Sequence, residues 1–370
     1  MFRPSIEKVV GLAALAVLCA VQSGSAAQTG SGPLVSPELL KQAHLKTVWE
    51  NELPIRKGES VGHMFLLANR LYVISDRNYV LSLNKEDGKI VFGKTVAPAG
   101  LLTSGMMVYA DELLYVKGSR LVEVDAESGV ERRSTDIGQG MTCPATRNSL
   151  YFYAAGIDKR LHAFVATNMV QEFEVAADND SVITSIMADE NFVIFATDKG
   201  NVIGIQPDSA VRLWQFDAAG AIAGPVVRDW MSLFFASKDT NVYRVDMTQA
   251  PEQKRLVWKF QANGMLEKAP RVTQKVVYQP ILSKGVVAID KEKGSALWSV
   301  PGGLELLAEA KGKAYVITGD GTLVVMDNAK GGKLYSVNFA RASKYAANAT
   351  DDKIYIADKQ GRTACLQPAE

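Results

Sequence analysis

Along residues 312–337, GKAYVITGDGTLVVMDNAKGGKLYSV, three short apolar runs are separated by turns of Gly, Asp, Asn and Lys. Runs of four to six residues bounded by such clusters predict strands joined by tight turns. The same phrase returns along the chain. RLYVISDRNYVLSLNKEDGKIVFGKTV begins at Arg70, and related phrases begin at Leu113, Ser149, Asn191, Ser232, Lys275 and Gly312. A shortened copy from Lys353 ends the chain. A period of about 40 residues belongs to repeat architectures, and no copy contains a stretch with helical periodicity.

Each copy has the same internal grammar. A β-branched and aromatic run such as Tyr72–Ile74 or Phe192–Phe195 is followed by a polar turn. A second run alternates, as in Val80–Asn84 (VLSLN) or Leu323–Asp327 (LVVMD), and leads to a turn with Gly88, Gly129, Gly294 or Gly332. Glycine suits a turn that needs positive φ. A third run carries an aromatic residue in one slot: Phe92, Trp214, Trp258, Trp298 or Tyr335. Between copies, stretches of small and β-branched residues such as VITSIMADEN and IAGPVVRDWM supply a fourth, innermost strand. Four antiparallel strands per period predict an all-β fold, an eight-bladed β-propeller.

The eighth copy stops after its third strand, at ACLQPAE, which would leave an unpaired sheet edge. LKTVWENEL (Leu45–Leu53) places Trp49 in the aromatic slot, so this segment is expected to complete the last blade and close the ring. Before it, SPELLKQA predicts a short helix capped by Ser36 with Pro37 at its first position. The slot aromatics read as packing. The expected organisation is a propeller over 45–370, a linker with a short helix over 28–44, and a leader over 1–27.

That leader has Arg3 and Lys8, an apolar run Val9–Val21, and small residues in SGSAAQ, the layout of a secretory signal peptide. The run is shorter than the roughly 20 residues of a membrane span. Leu18, directly before Cys19, departs from the small residue of a lipid-attachment signal. An exported protein, periplasmic or associated with the cell envelope, is expected. The 370 residues carry a net charge of +1; without Arg3, Glu7 and Lys8 the remainder is neutral. A neutral chain has no global field to gather nucleic acid. No later segment is long and apolar enough to span a bilayer. Cys143 and Cys365 read as buried free thiols, because a domain of this size stands on its core without disulfides.

His44, His63 and His162 lack partners at zinc-ligand spacing, and no nucleophile elbow, zinc-protease motif or phosphate loop occurs. Asp125, Asp246, Asp290 and Asp327 follow the second run and are expected to cap turns. What varies between copies is the tips. Asp76–Arg77, Asp158–Lys159–Arg160, Asp198–Lys199, Lys238–Asp239 and Asp358–Lys359 are expected on one face, around the channel mouth, with the apolar pieces APAGLL (97–102) and GGLELL (302–307) nearby. Mixed charge with apolar contact suits a protein partner. Asp76, Arg77, Asp158, Lys159, Arg160, Asp198, Lys199, Lys238 and Asp239 are therefore the candidate partner-binding residues. A plain solvated rim is the alternative.

The phrases at 275–300, 191–216 and 312–337 resemble the pyrroloquinoline-quinone-type propeller repeat. From about Leu45 to its end the chain resembles the BamB outer-membrane assembly factor family. The resemblance implies a monomeric propeller acting as a periplasmic scaffold for another envelope protein, with no chemistry and no cofactor of its own. Two copies depart from the pattern, with GVERRSTDI and NMVQEFEV where tryptophan is usual. The dehydrogenase branch of the same repeat carries a vicinal cysteine pair and acidic and amide calcium ligands, and no cysteines are adjacent here. A quinone-dependent or small-ligand-binding propeller using the central channel is the alternative reading.

Overall fold

The computed structural model describes residues 32–101, 105–248 and 255–369, and the expected leader at 1–27 lies outside them. From Leu34 onward the chain forms one compact unit. Among the described residues, thirty-two strands form eight four-stranded sheets with antiparallel pairing. Blade one comprises Val61–Leu67, Arg70–Ser75, Tyr79–Asn84 and Ile90–Thr95, running from the innermost strand outward. Blades two to seven repeat this order; their innermost strands begin at Met107, Thr146, Ile183, Ile222, Arg271 and Gly303. Blade eight breaks it. Lys344–Ala346, Ile354–Ala357 and Arg362–Pro368 supply three strands, and Leu45–Glu52 from the other end of the chain supplies the outer one. Trp49 stands opposite Cys365, with a bulge between Thr47 and Trp49. Helix Pro37–Gln42 precedes this strand, and the Ser36 hydroxyl accepts from the Leu39 N–H at 3.4 Å.

The middle strands are buried on both sides. Every residue of Val193–Thr197 and Asn201–Ile205 is buried, and even Ser82, the polar member of VLSLN, has no exposure. The reason is that each blade is sandwiched between two others, so polar-apolar alternation along these strands does not separate core from solvent. The core is a ring of eight apolar layers, one at each junction between blades. The layer between blades eight and one contains Trp49, Leu71, Leu81, Tyr355 and Cys365. Burial pushes the Cys143 and Cys365 thiols up to about 12, and both are free.

The aromatic slot locks each blade to the next. Trp49 Nε1 donates to the Lys85 carbonyl at 3.0 Å and Trp258 Nε1 to the Lys291 carbonyl at 2.9 Å. Trp298 Nε1 reaches Asn328 Oδ1 at 3.0 Å. All three acceptors lie in the turn between the third and outer strands of the following blade. A Cβ added to Gly88, Gly129 or Gly294 in those turns would stand 2.6 Å from the ring of Trp49, Phe92 or Trp258. Their φ of +72°, +71° and +68° disfavours a side chain as well. In blade seven this role falls to Gly331, at φ +67°, and not to Gly332, because it is the Gly331 N–H that returns to the Asp327 carbonyl.

Blades two and three have lost the tryptophan without losing the slot. Phe173 fills it in blade three, opposite Ala163. In blade two Arg133 fills it, opposite the buried Glu123. Arg133 Nη2 donates to Glu123 Oε2 at 2.9 Å and to the Ala166 carbonyl at 2.7 Å, and Nη1 donates to the Thr167 carbonyl at 3.2 Å. The guanidinium thus reproduces the indole's bridge to the next blade. Where it does so, the facing turn holds Met169 at φ +60° in the glycine position, there being no ring face to approach.

Candidate functional site

Two faces follow from the strand order. The turns between second and third strands share one face with the connections between blades, and the remaining turns occupy the other. Backbone bonds tie the first set together: Asp76 N–H to Ser60 O, Ile157 N–H to Gly140 O, Asp198 N–H to Val182 O, Lys238 N–H to Ala221 O and Gly319 N–H to Gly302 O. All nine candidate partner-binding residues lie on this connection face, spread over blades one, three, four and five.

Their carboxylates are occupied within the chain. Asp76 accepts from the Ser60 N–H at 3.1 Å and hydroxyl at 2.8 Å, which holds its carboxyl below the ordinary 3.8. Asp198 accepts from the Val182 N–H at 2.8 Å. Asp239 accepts from the Asn241 N–H at 2.9 Å, the Ala219 N–H at 3.2 Å and the Tyr243 hydroxyl at 2.5 Å. Burial raises the Asp239 pKa, but these bonds outweigh it and leave the pKa lowered. Asp158 Oδ2 lies 2.9 Å from Nε2 of the buried His162, while Lys159 pairs with Asp180 at 2.5 Å and Arg160 with Glu174 at 2.8 Å. Asp76, Asp198 and Asp239 thus pin turns to connections, a role that depends on where the connection's N–H groups fall. Among the described residues, the side chains of Arg77, Lys199 and Lys238 have no hydrogen-bond or ion-pair partner, so the free charge of this set is cationic. The turn-capping aspartates behave as their position suggests. Asp290, for example, accepts from the Glu292 and Lys293 N–H groups.

His63 is exposed on the innermost strand of blade one. Arg271 forks onto the buried Glu305 at 3.1 and 3.0 Å. Among the described residues no group of three or more His, Cys, Asp or Glu side chains could hold a metal ion.

A feature that the repeat pattern did not single out lies over blade six on the connection face. There Leu282, Leu304 and Met265 are all exposed beside a cleft of about 180 Å³. Of the leucines in the piece at 302–307, only Leu304 is exposed; Leu306 and Leu307 are fully buried. The piece at 97–102 runs into residues outside the description. On the opposite face Trp230 stands 86% exposed at φ +54°, at the tip of the hairpin between the inner and second strands of blade five. It is outside the slot that holds the other tryptophans.

Among the solved structures, the chain is similar to BamB from Moraxella catarrhalis, at 15% identity and a TM-score of 0.66, covering 87% of this chain and 97% of that one. It is equally similar to the computationally designed Ika8 protein, at 12% identity and a TM-score of 0.66, covering 87% and 99%. At such identities the likeness shows the fold. No curated protein sequence matches the chain. The sequence model of the family described as "Outer membrane protein assembly factor BamB" matches residues 39–216 and 198–370, which together run from the helix to the end of the chain. The chain therefore belongs to the BamB family of eight-bladed propellers.

Proposed function

We propose that this protein is an exported, non-catalytic scaffold of the cell envelope that binds a partner protein through the connection face, in the assembly of outer-membrane proteins. The observation that carries the reading is the family match over nearly all of the ring, under a description that names outer-membrane assembly. The leader-like start with Arg3, Lys8 and the run Val9–Val21 supports export. Among the described residues no helix is long and apolar enough to cross a membrane. Rigid blades with variable turns at one face suit recognition, because the scaffold holds the turns in place at little entropic cost on binding.

The test is co-purification from a cell-envelope extract followed by mass spectrometry. It compares the wild-type protein with a variant carrying Arg77→Glu, Lys199→Glu and Lys238→Glu. These three cations hold no turn in place, so reversing them leaves the fold intact. An envelope protein retained by the wild type and weakened in the variant agrees with the reading. Failure to retain any envelope protein, together with dye-linked alcohol or sugar oxidation on adding quinone and calcium, would replace the scaffold with an enzyme.

A further inference from the structure

Blade six departs from the repeat in two ways that coincide in space. Six blades place an aspartate in the turn between second and third strands: Asp76, Asp158, Asp198, Asp239, Asp320 and Asp358. Blade two has the two-residue turn Gly118-Ser119 there, and blade six has Leu282-Ser283-Lys284. The connection leaving the same blade is a single residue, Gly302, between Ala296–Pro301 and Gly303–Ala310. Other connections run from four residues (218–221) to eleven (96–106). The cleft lies over blade six, between the connection that enters it (Glu267, Lys268) and the short one that leaves it (Gly302), with Gly303 and Leu304 of blade seven at its edge. Local departures from an otherwise consistent repeat are where function is expected to reside.

The opening is shaped. The Leu282 N–H bonds the Met265 carbonyl at 3.0 Å, and the Gly302 N–H bonds the Lys284 carbonyl at 3.0 Å, so both walls are fixed. Pro280, Ile281, Leu282, Gly303 and Leu304 are among the lining residues of the cleft of about 180 Å³. An apolar cavity of about 150 Å³ takes a benzene ring, so this one has room for a single leucine, methionine or phenylalanine side chain. Its rim is cationic. Lys268 lies 3.9 Å from Glu305, but that carboxylate is already forked by Arg271. The Lys284 ammonium rests on the Asn263 carbonyl and, among the described residues, has no carboxylate partner. Glu267 is the one acid among the lining residues.

We infer that the cleft over blade six is a docking site for an extended segment of a partner protein. That segment inserts one large apolar side chain beside Leu282 and Leu304 and sets an Asp or Glu carboxylate next to Lys268 and Lys284. The inference rests on the scaffold reading and adds to it the place and the chemistry of the partner. The apolar side chain supplies burial, and the carboxylate supplies orientation against two ammonium groups whose present partners are shared or neutral.

The test is methyl NMR of the purified protein titrated with an acetylated Gly-Ser-Leu-Asp-Ser-Gly peptide. Controls replace the peptide's leucine by alanine or its aspartate by lysine. Binding through one side chain and one charge contact is expected near millimolar, so titration runs to about 5 mM. The methyl signals of Ile281, Leu282 and Leu304 should move and saturate. The alanine peptide should bind at least about tenfold more weakly, and the lysine peptide at least about threefold more weakly. Leu282→Asp, which installs the residue type that six other blades tolerate in this turn, should abolish the shifts without unfolding the ring. Lys268→Glu with Lys284→Glu should abolish only the preference for aspartate. No saturable shift at these methyls, or equal binding of the leucine and alanine peptides, would overturn the site. The scaffold reading is tested separately. If Leu282→Asp still retains the envelope partner, the site is wrong and the scaffold stands. If peptide binds as expected but no partner is retained, the scaffold reading fails and the cleft remains.

Discussion

Trp49→Ala and Trp258→Ala remove the same side chain from equivalent slots, yet only the first sits on the strand that joins the two ends of the chain. Each indole is about 8% exposed and donates one hydrogen bond to the following blade. Burying a tryptophan removes about 150–250 Å² from water, worth about 4–6 kcal/mol at ~25 cal/mol per Å². Truncation of large aromatic residues costs about 3–5 kcal/mol. For about 330 ordered residues the unfolding entropy is near 0.7 kcal/mol per degree, so 4 kcal/mol lowers Tm by about 6 °C. Trp258→Ala should show this shift with an unchanged urea m-value, because Leu256–Gln261 is held at both ends of its own blade. Trp49→Ala should lose more. Leu45–Glu52 is joined to Arg362–Pro368 by pairing alone, and Trp49 and Asn51 supply its side-chain bonds to blade one. The expected signature is a lower m-value and non-coincident fluorescence and circular-dichroism transitions as the seam opens before the ring melts. Superimposable unfolding curves for the two variants would refute the reasoning.

Other consequences are equally direct. Arg133→Ala leaves the buried carboxylate of Glu123 with only the Arg147 guanidinium, 4.0 Å away, and should cost about 3 kcal/mol in urea unfolding, part of which Glu123→Ala in the same chain restores; a change within about 0.5 kcal/mol would remove the bridging role. Gly88→Ala and Gly129→Ala meet both positive φ and a ring face, and should each cost at least about 2 kcal/mol, whereas Gly118→Ala has open space and should cost only the ~1 kcal/mol of left-handed backbone; equal losses at all three would sink the cradle. Asp178, held down by its hydrogen bonds from Arg212, and Asp239, where bonds outweigh burial, both have lowered pKa values. Their stabilisation is complete above the unfolded value near 3.9 and is lost as pH falls through the lower folded values. The urea midpoint should therefore hold from about pH 7 to 5 and fall below about pH 4, and a midpoint that already falls between pH 7 and 5 would contradict this.

The repeat made the blades legible because each copy restates the same local rules: apolar run, polar turn, glycine, aromatic slot. Trp49 could be assigned to the last blade from a distance of more than 300 residues for that reason. Arg133 could not be read the same way. Its role depends on Glu123 opposite and on carbonyls of the next blade, neither of which lies near it in sequence. The rim aspartates were recognisable as turn residues, but whether their carboxylates face a partner or the chain depends on the position of N–H groups such as those of Ser60 and Val182. The cleft left a fainter mark. SVPGGLELL has a single residue between two strands, and ILSKG lacks the aspartate of six counterparts, but both are absences and become informative only when the copies are compared position by position.

Closure of the ring by its own N-terminal strand is what every other statement about the surface depends on, and amide hydrogen exchange reads it without substitution. The amides of 46–52 that bond across to 362–368, and those of 362–368 themselves, should be protected together on the timescale of the ring's paired strands, while the solvent-facing amides of 46–52 exchange freely, and this protection should be lost together in Trp49→Ala. Exchange of the paired amides of 46–52 on the timescale of the exposed turns, while 362–368 stays protected, would contradict the closed ring.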